Sequence, residues 1–190
     1  MGTYLSLPRL PVDWAVDLLT GRHEIVDLKR GQPERMMERE RMYMFWVEEE
    51  PDKVPYMLDF NKFYKRAVDT MTGTVHDRFA REFRHDEPDD PLFWSIYGAR
   101  RIGWNPKDVF PFRYSLALDI RAIVDQLAAM TEEDIRQNVE QVIEASDERY
   151  GSEVTQRWMR EQAAVKLLPT LRQFYGAAQE EGDIVVYWLG

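Results

Sequence analysis

The residues best suited to chemistry lie in one segment, Tyr97 to Tyr114, which reads YGARRIGWNPKDVFPFRY. It interleaves cations with large rings, namely Arg100, Arg101, Lys107 and Arg113 with Trp104, Phe110, Phe112 and Tyr114. A guanidinium beside an aromatic face suits a carboxylate or a phosphate, and such groups also anchor acidic protein partners. The structural alternative is that the arginines pair with the chain's own acids while the rings belong to the core. The sequence leaves both interpretations open.

The charge of the chain limits the partners that it can bind. Lys and Arg number 25 and Asp and Glu number 34, so the net charge is −9 at pH 7. A surface for nucleic acid or anionic lipid would work against this charge, so we expect neither partner. The longest apolar runs, Met42 to Val47 and Ile184 to Leu189, fall far short of the ~18 residues that span a bilayer.

Few residues in the chain are suited to metal or cofactor chemistry. Cysteine is absent, which excludes disulfides, thiolate zinc sites and iron–sulfur clusters and fits a cytoplasmic bacterial protein. No GxGxxG, Walker A, GxSxG, HExxH or EF-hand pattern occurs. His76-Asp77 and His85-Asp86, near Asp89 and Asp90, match no regular ligand spacing. We therefore expect no metal and no cofactor.

The two ends of the chain have the character of strands, and helical patterns lie between them. Residues 3–7 alternate in polarity, and the prolines at 8 and 11 are expected to end this strand. Residues 184–189 are apolar on both alternating faces, which is typical of a strand in the middle of a sheet. This order predicts an α+β fold, with a small mixed sheet that includes both terminal strands and packs against several helices. A length of 190 residues predicts a single domain, 1–190.

Apolar periodicity predicts the helices. The clearest stripe consists of Phe60, Phe63, Tyr64, Ala67, Val68 and Met71, with Lys62, Lys65, Arg66, Asp69 and Thr70 on the opposite side. Asp59 is expected to cap this helix and Gly73 to end it. Further helices are expected at 11–19, at 91–97 after Asp90, at 118–130, at 132–145 after Thr131, and at 152–181 with an interruption at Pro169. For 34–47 we predict a helix, although 42–47 equally suits a buried strand.

Four blocks of the sequence, in order, resemble those of one family. They are Met57 to Tyr64 running on to Met71-Thr72-Gly73, Pro91 to Gly103, Phe110 to Leu127, and Leu168 to Leu189. Together with the Met-Gly start they cover nearly the whole chain, which thus resembles the YfbM-like family of bacterial proteins with a domain of unknown function. The resemblance implies a single α+β domain of the YfbM-like type and no established activity.

The resemblance also has departures that bear on a site. The matching positions are Asp59, Lys62, Gly103, Arg113 and Tyr114. Tyr64, Lys65 and Val68 stand where the family often has Trp and His, so a histidine-based site there would be absent, and Gly98-Ala99 replaces a glycine pair. The matching positions suit either a ligand site or a structural network that joins a helix start to the sheet.

The candidate ligand- or partner-binding residues are therefore Asp59, Lys62, Arg100, Arg101, Trp104, Arg113 and Tyr114, and we assign no catalytic residue. We expect a non-enzymatic protein that recognises a protein partner or a small anion, in an accessory role such as toxin immunity or defence against mobile elements. The alternative is a hydrolase or transferase that holds a small anionic substrate with Arg101, Arg113 and Lys62 and uses Asp59 as a base. A deep pocket would favour the enzyme and a flat patch the binding protein. The oligomeric state is left open.

Overall fold

The computed structural model of the chain describes residues 5–13, 42–44, 54–61, 63–76, 88–101, 113–146 and 150–189. These residues form one six-stranded sheet and six α-helices. The strands are β1 (Leu5–Leu10), β2 (Met42–Met44), β3 (Met57–Asn61), β4 (Arg100–Arg101), β5 (Arg113–Ser115) and β6 (Ile184–Leu189). The helices are α1 (Tyr64–Thr72), α2 (Pro91–Tyr97), α3 (Ala117–Ala129), α4 (Glu132–Ala145), α5 (Glu153–Gln162) and α6 (Leu168–Glu181). The chain has the α+β fold that the sequence predicts.

The sheet has the strand order β2-β3-β1-β6-β5-β4. β2 and β3 run parallel, while every other pair of neighbours is antiparallel, so the sheet is mixed as predicted. The first and last strands lie side by side in its centre, from Leu5 opposite Leu189 to Leu10 opposite Ile184. Four consecutive residues of β6, from Ile184 to Tyr187, are buried. This confirms the prediction of a central strand covered on both faces.

The first strand runs past the point where the sequence predicts its end. Proline lacks an N–H group and is expected to end a central strand, yet β1 continues through Pro8 to Leu10. β6 pairs with residues on either side of Pro8, namely Ser6 and Arg9. On the β3 side, the Arg9 N–H donates to the carbonyl of Tyr56 at 2.8 Å. Pairing on both sides of the proline therefore keeps this strand extended.

The start of the first amphipathic helix differs from the prediction. Asp59 does not cap a helix but lies inside β3, and the residue at the cap of α1 is Phe63, whose side chain makes no capping hydrogen bond. Leu58 and Phe60 are two residues apart and both fully buried, which is the alternation of a strand. β3 also has partners on both sides, β1 and β2. These pairings favour a strand at 57–61 over an extra helical turn.

Other predicted elements show mixed outcomes. The helix expected over 34–47 is wrong at 42–44, which form β2 as in the strand alternative, and its other positions lie outside the described residues. Of the helix expected at 11–19, Val12 and Asp13 are helical and positions 14–19 lie outside the described residues. The starts of α2 and α4 are as predicted. Asp90 accepts the N–H of Leu92 at 2.9 Å, and Thr131 accepts that of Asp134 at 3.1 Å.

The interruption expected at Pro169 is a π-helical segment, Ala163–Leu167, that joins α5 to α6. Proline has no N–H to donate and its ring clashes with the preceding turn of an α-helix. The wider π-helical segment precedes the proline, which then occupies the first turn of α6, where the missing N–H needs no partner. One long helical pattern in the sequence thus becomes two helices.

Helices pack against the sheet and form the main core with it. Leu7, Leu58 and Tyr187 from the sheet pack with Ile120 of α3 and Leu171 of α6. Among the residues that the structure describes, no helix is both long and apolar enough to span a bilayer.

Candidate functional site

The candidate site lies at the β4–β5 end of the sheet. Of the seven predicted binding residues, the structure describes Asp59, Arg100, Arg101, Arg113 and Tyr114, while Lys62 and Trp104 lie outside the described residues. Arg100 pairs with Tyr114, and Arg101 pairs with Arg113. These four residues are therefore neighbours in space.

Arg100 presents a charged group on β4, the edge strand of the described sheet. Its Nε donates to Oδ2 of Asp119 at 2.6 Å and its Nη2 donates to Oδ1 at 2.9 Å. The same Oδ2 accepts the N–H of Leu116 at 2.9 Å, so Asp119 also caps the start of α3. The Arg100 side chain is 46% exposed, whereas Asp119 is nearly buried. This guanidinium is held in one orientation at the surface, and its hydrogen bonds to Asp119 raise its pKa further.

Arg113 lies one strand further in and is buried. Its Nε and Nη2 donate to the carbonyl of Gly98 at 3.0 and 2.8 Å. That carbonyl follows α2, and the backbone at Gly98 has a φ of +77°, a conformation that favours glycine. A Cβ on Gly98 would come within 2.5 Å of the Tyr187 ring and 3.0 Å of the Arg113 Cβ. The hydrogen bonds of Arg113 therefore hold the end of α2 against the sheet.

A chain of hydroxyl groups continues from this point into the core. The Ser115 Oγ accepts the N–H of Ala99 at 3.2 Å and lies 3.2 Å from the Tyr187 hydroxyl. The Tyr187 hydroxyl lies 2.5 Å from that of Tyr175, which donates to the carbonyl of Ser95 at 2.8 Å. Since a carbonyl can only accept, Tyr175 donates to Ser95, Tyr187 donates to Tyr175, and Ser115 donates to Tyr187.

The hydroxyl chain is complete at both ends within the protein. It begins at a backbone N–H and ends at a backbone carbonyl, so each hydroxyl gives one hydrogen bond and receives one. Burial raises the pKa of both Tyr175 and Tyr187 well above the ordinary value of a tyrosine. These phenols stay protonated and join α2, α6, β5 and β6 into one unit.

Asp59 does not share a site with Arg113. Paired residues on neighbouring antiparallel strands place their side chains on one face, and successive residues of a strand alternate between faces. Asp59 pairs with Ser6, whereas Arg113 pairs with Tyr187, on the face of Val185 and Arg9. Ser6 and Arg9 are an odd number of residues apart, so the two candidate residues lie on opposite faces, three strand spacings or about 14 Å apart.

Sequence reasoning missed a buried carboxylate. Asp69 of α1 is fully buried and accepts hydrogen bonds from the Tyr150 hydroxyl at 2.6 Å and the His76 backbone N–H at 3.0 Å. The sequence analysis places Asp69 and Thr70 on the solvent side, and both are in fact buried. Helix α1 packs against α2 and also against α4. A single apolar stripe shows only one of these two contacts, so periodicity could not reveal the second.

Arg9 is a second buried charge that the sequence analysis did not identify. Its guanidinium carbon lies 4.7 Å from the centre of the Tyr56 ring and 5.7 Å from that of Phe174. Its Nη1 lies 3.4 Å from Glu181 Oε1 and 3.8 Å from the buried Asp183 Oδ2. Burial lowers the pKa of Arg9, while the two carboxylates act in the opposite direction. The sequence Leu-Pro-Arg-Leu-Pro gives no sign of this arrangement, because all of its partners are distant in the chain.

Acidic and histidine side chains are the metal ligands that this cysteine-free chain offers. Within the described ranges, no three of these side chains are placed to hold a metal ion together. The ring of His76 instead packs on Phe93, with centroids 5.2 Å apart, and its Nε2 lies 3.0 Å from Thr72 Oγ1.

Comparison with known proteins addresses the fold. No family model matches the chain, and no curated protein matches it significantly in sequence. A solved structure does match over 100% of both chains, with a TM-score of 0.61 and 16% sequence identity. It is the crystal structure of YfbM from Escherichia coli, described as a protein of unknown function. The chain therefore has a YfbM-like fold, with the buried arginine and tyrosine network at one end of its sheet.

Proposed function

We propose that this protein is a non-enzymatic recognition protein that binds an acidic partner protein with the segment 100–114. The observation that carries the proposal is the Arg100 guanidinium, which is exposed and yet fixed by two hydrogen bonds to Asp119. A side chain that is already ordered loses little conformational entropy when a partner binds. Arg100 is thus prepared to meet an acidic group.

The contact with Asp119 uses only part of the guanidinium. A guanidinium carries five N–H donors, and Asp119 engages Nε and Nη2, which leaves Nη1 outside the pair. The remaining donors can bind a carboxylate of a partner. Because the whole chain carries a net charge of −9, it repels an acidic partner at long range. Recognition then depends on short-range contacts with Arg100. Such contacts contribute to the specificity of binding more than to the rate of association.

The matched arginine for a test is Arg157 on α5. It is 75% exposed and pairs with a carboxylate of its own helix, Glu161, at 3.2 Å. We would purify the tagged protein from its native host as wild type, Arg100→Ala and Arg157→Ala. We expect a stoichiometric protein partner with the wild type and with Arg157→Ala. Removal of a charged side chain at the centre of an interface typically weakens binding by about 2–4 kcal/mol, so Arg100→Ala should lose most of the partner.

Two results would contradict the proposal. Equal recovery of the partner by Arg100→Ala and the wild type would remove Arg100 from the recognition surface. Recovery of a small anionic metabolite with no protein partner would favour the hydrolase or transferase alternative. Thermal unfolding of both variants shows whether a lost partner reflects binding or folding.

A further inference from the structure

A second surface with unusual features lies between α1 and α5, and we call it the α1–α5 surface. It consists of Phe63, Arg66, Val154 and Trp158. The rings of Phe63 and Trp158 pack together with centroids 5.1 Å apart, and both are only partly buried. The guanidinium carbon of Arg66 lies 5.0 Å from the centre of the Phe63 ring. Aromatic and cationic groups thus meet at the boundary with solvent.

Arg66 differs from seven other arginines of α-helices and strands in the described part of the chain. The guanidinium groups of Arg9, Arg100, Arg113, Arg136, Arg157, Arg160 and Arg172 each have a carboxylate or carbonyl acceptor. Among the described residues, Arg66 has its contact with the Phe63 ring but no hydrogen bond and no ion pair with a carboxylate. Partial burial lowers the pKa of Arg66, while Tyr150 acts in the opposite direction.

A half-buried cation without an acceptor destabilises a folded protein. An external carboxylate can complete the hydrogen bonds of such a guanidinium, because the two groups form parallel, charge-assisted hydrogen bonds. The site lacks the features of a small-anion pocket, because Arg66 lies over the ring of Phe63, which packs on Trp158, and its other neighbour is the buried Tyr150. An apolar contact must therefore accompany the anionic one.

Helix α5 supplies the apolar contact. Val154 is 80% exposed in the first turn of α5, and Trp158 lies one turn further along the same face. Trp, Phe and Arg residues in partly desolvated positions are typical of the centres of protein interfaces. The net charge of −9 argues against nucleic acid and anionic lipid as the source of the anion.

We propose that the α1–α5 surface binds a segment of a partner protein in which a carboxylate side chain stands next to a large apolar side chain. The carboxylate completes the hydrogen bonds of Arg66, while the apolar side chain packs on Trp158 and Val154. This surface is built from α1 and α5, whereas Arg100 lies on β4, so it does not depend on the function proposed above.

The test places a photo-crosslinking residue in the surface. Because Val154 points into solvent, we expect Val154→p-benzoylphenylalanine to leave the fold intact. The protein that carries this residue is irradiated in cells of its native host. Mass spectrometry then identifies the crosslinked peptide. We expect one partner peptide that contains Asp or Glu within two residues of a large apolar residue. Adding Arg66→Gln should reduce the crosslinked product at least tenfold. Arg157→Gln, on the helix that carries Val154, should leave the amount of product unchanged.

Several outcomes would overturn the proposal. They are a crosslink that survives Arg66→Gln, a crosslinked peptide without an acidic residue, a crosslink to a second copy of this chain, and no crosslink at all.

Stability provides an independent measurement. Because Arg66 lacks an acceptor in the free protein, Arg66→Gln should leave the urea midpoint of unfolding unchanged or raise it. A clear fall in the midpoint would assign Arg66 a structural role. Arg100→Ala should leave the crosslink intact, so failure of one proposal does not imply failure of the other.

Discussion

Single residues of β4 and β5 differ in burial, and burial decides what each can do. Arg100 is 46% exposed, and its charge is balanced by one carboxylate at the surface. Arg113 is 2% exposed, and its Nε and Nη2 donate to the carbonyl of Gly98. The sequence shows the same residue type in the same short segment. Only Arg100 can meet a partner without disturbing the core.

Replacing Arg113 should therefore destabilise the fold. Arg113→Ala leaves the buried Gly98 carbonyl without its donors and opens a cavity beneath α2. The expected loss is about 2–4 kcal/mol of the free energy of unfolding. Urea unfolding followed by circular dichroism measures it. The control is Arg157→Ala, for which an exposed ion pair predicts a change below about 0.5 kcal/mol. Equal stability of the two variants would mean that Arg113 is not a structural anchor.

The buried tyrosines give the protein an alkaline limit. Tyr175 and Tyr187 have folded-state pKa values raised by burial, while tyrosines of the unfolded chain ionise near pH ~10. Above that pH the unfolded state loses protons that the folded state keeps, so stability falls as pH rises. Below pH ~10 the contribution of the two tyrosines to the free energy of unfolding does not change with pH. We expect a loss of up to about 1.4 kcal/mol per pH unit for each tyrosine, measured by urea unfolding between pH 8 and 11.

The double variant Tyr175→Phe/Tyr187→Phe separates this effect from other titrations. Phenylalanine has no proton to lose, so the variant should be less stable at pH 8 but lose stability less steeply above pH ~10. Parallel pH curves for the variant and the wild type would show that these two tyrosines do not set the limit.

Among elements, the bounds of α3, α4 and β6 were predictable from the sequence, and the boundary between β3 and α1 was not. The stripes of α3 and α4 predict their bounds to within a residue, because each presents one apolar face to the core. For β3 and α1, the residues that decide the outcome are Phe60 and Asp69. Phe60 fits both a helical and a strand spacing, and Asp69 is buried by a second helix that lies far away in the sequence.

The boundary between β3 and α1 can be checked with two phenylalanines. Phe60 is fully buried in β3, whereas Phe63 precedes α1 and is partly exposed. Phe60→Ala should lower the free energy of unfolding by about 3–5 kcal/mol, and Phe63→Ala by less than half as much. A single helix from residue 60 would instead predict similar losses. Chemical denaturation of both variants under identical conditions distinguishes the two.

Two glycines test the ends and the middle of helices. Gly98→Ala combines a φ of +77° with a Cβ only 2.5 Å from the Tyr187 ring, so it should cost about 2–4 kcal/mol. Gly176 lies inside α6, and a Cβ there would meet nothing within 4 Å. Gly176→Ala should therefore stabilise the protein by about 0.5–1 kcal/mol. Thermal unfolding should move in opposite directions for the two variants.

For the whole molecule, the sequence predicted the fold class and the strands at both ends, but only part of the candidate site. Arg100, Arg101, Arg113 and Tyr114 are close in sequence, and β4 and β5 keep them together. Asp59 was grouped with them through the family resemblance, yet the register of the sheet puts it on the opposite face from Arg113. Whether two residues share a face of the sheet depends on the register between its strands. A local sequence pattern does not determine that register.

The prediction of one domain over 1–190 has a direct test. β6 pairs with β1 and β5, and the core joins residues of the sheet to those of α1 to α6. Such a molecule should unfold in one cooperative step. Tryptophan fluorescence and far-ultraviolet circular dichroism should then give the same urea midpoint. Two separate midpoints would indicate two units that unfold independently.

The pairing of β1 with β6 also has a consequence for how the protein is made. β1 is synthesised before β6, and the other strands and all six α-helices lie between them in the chain, so β1 lacks one of its two neighbours until β6 has been made. Its apolar residues, Leu5, Leu7 and Leu10, are all buried in the finished fold. Contacts between distant parts of a chain form slowly, and an unpaired apolar strand invites association with other chains. Until β6 has been made, β1 therefore exposes an unpaired edge to which other chains can bind.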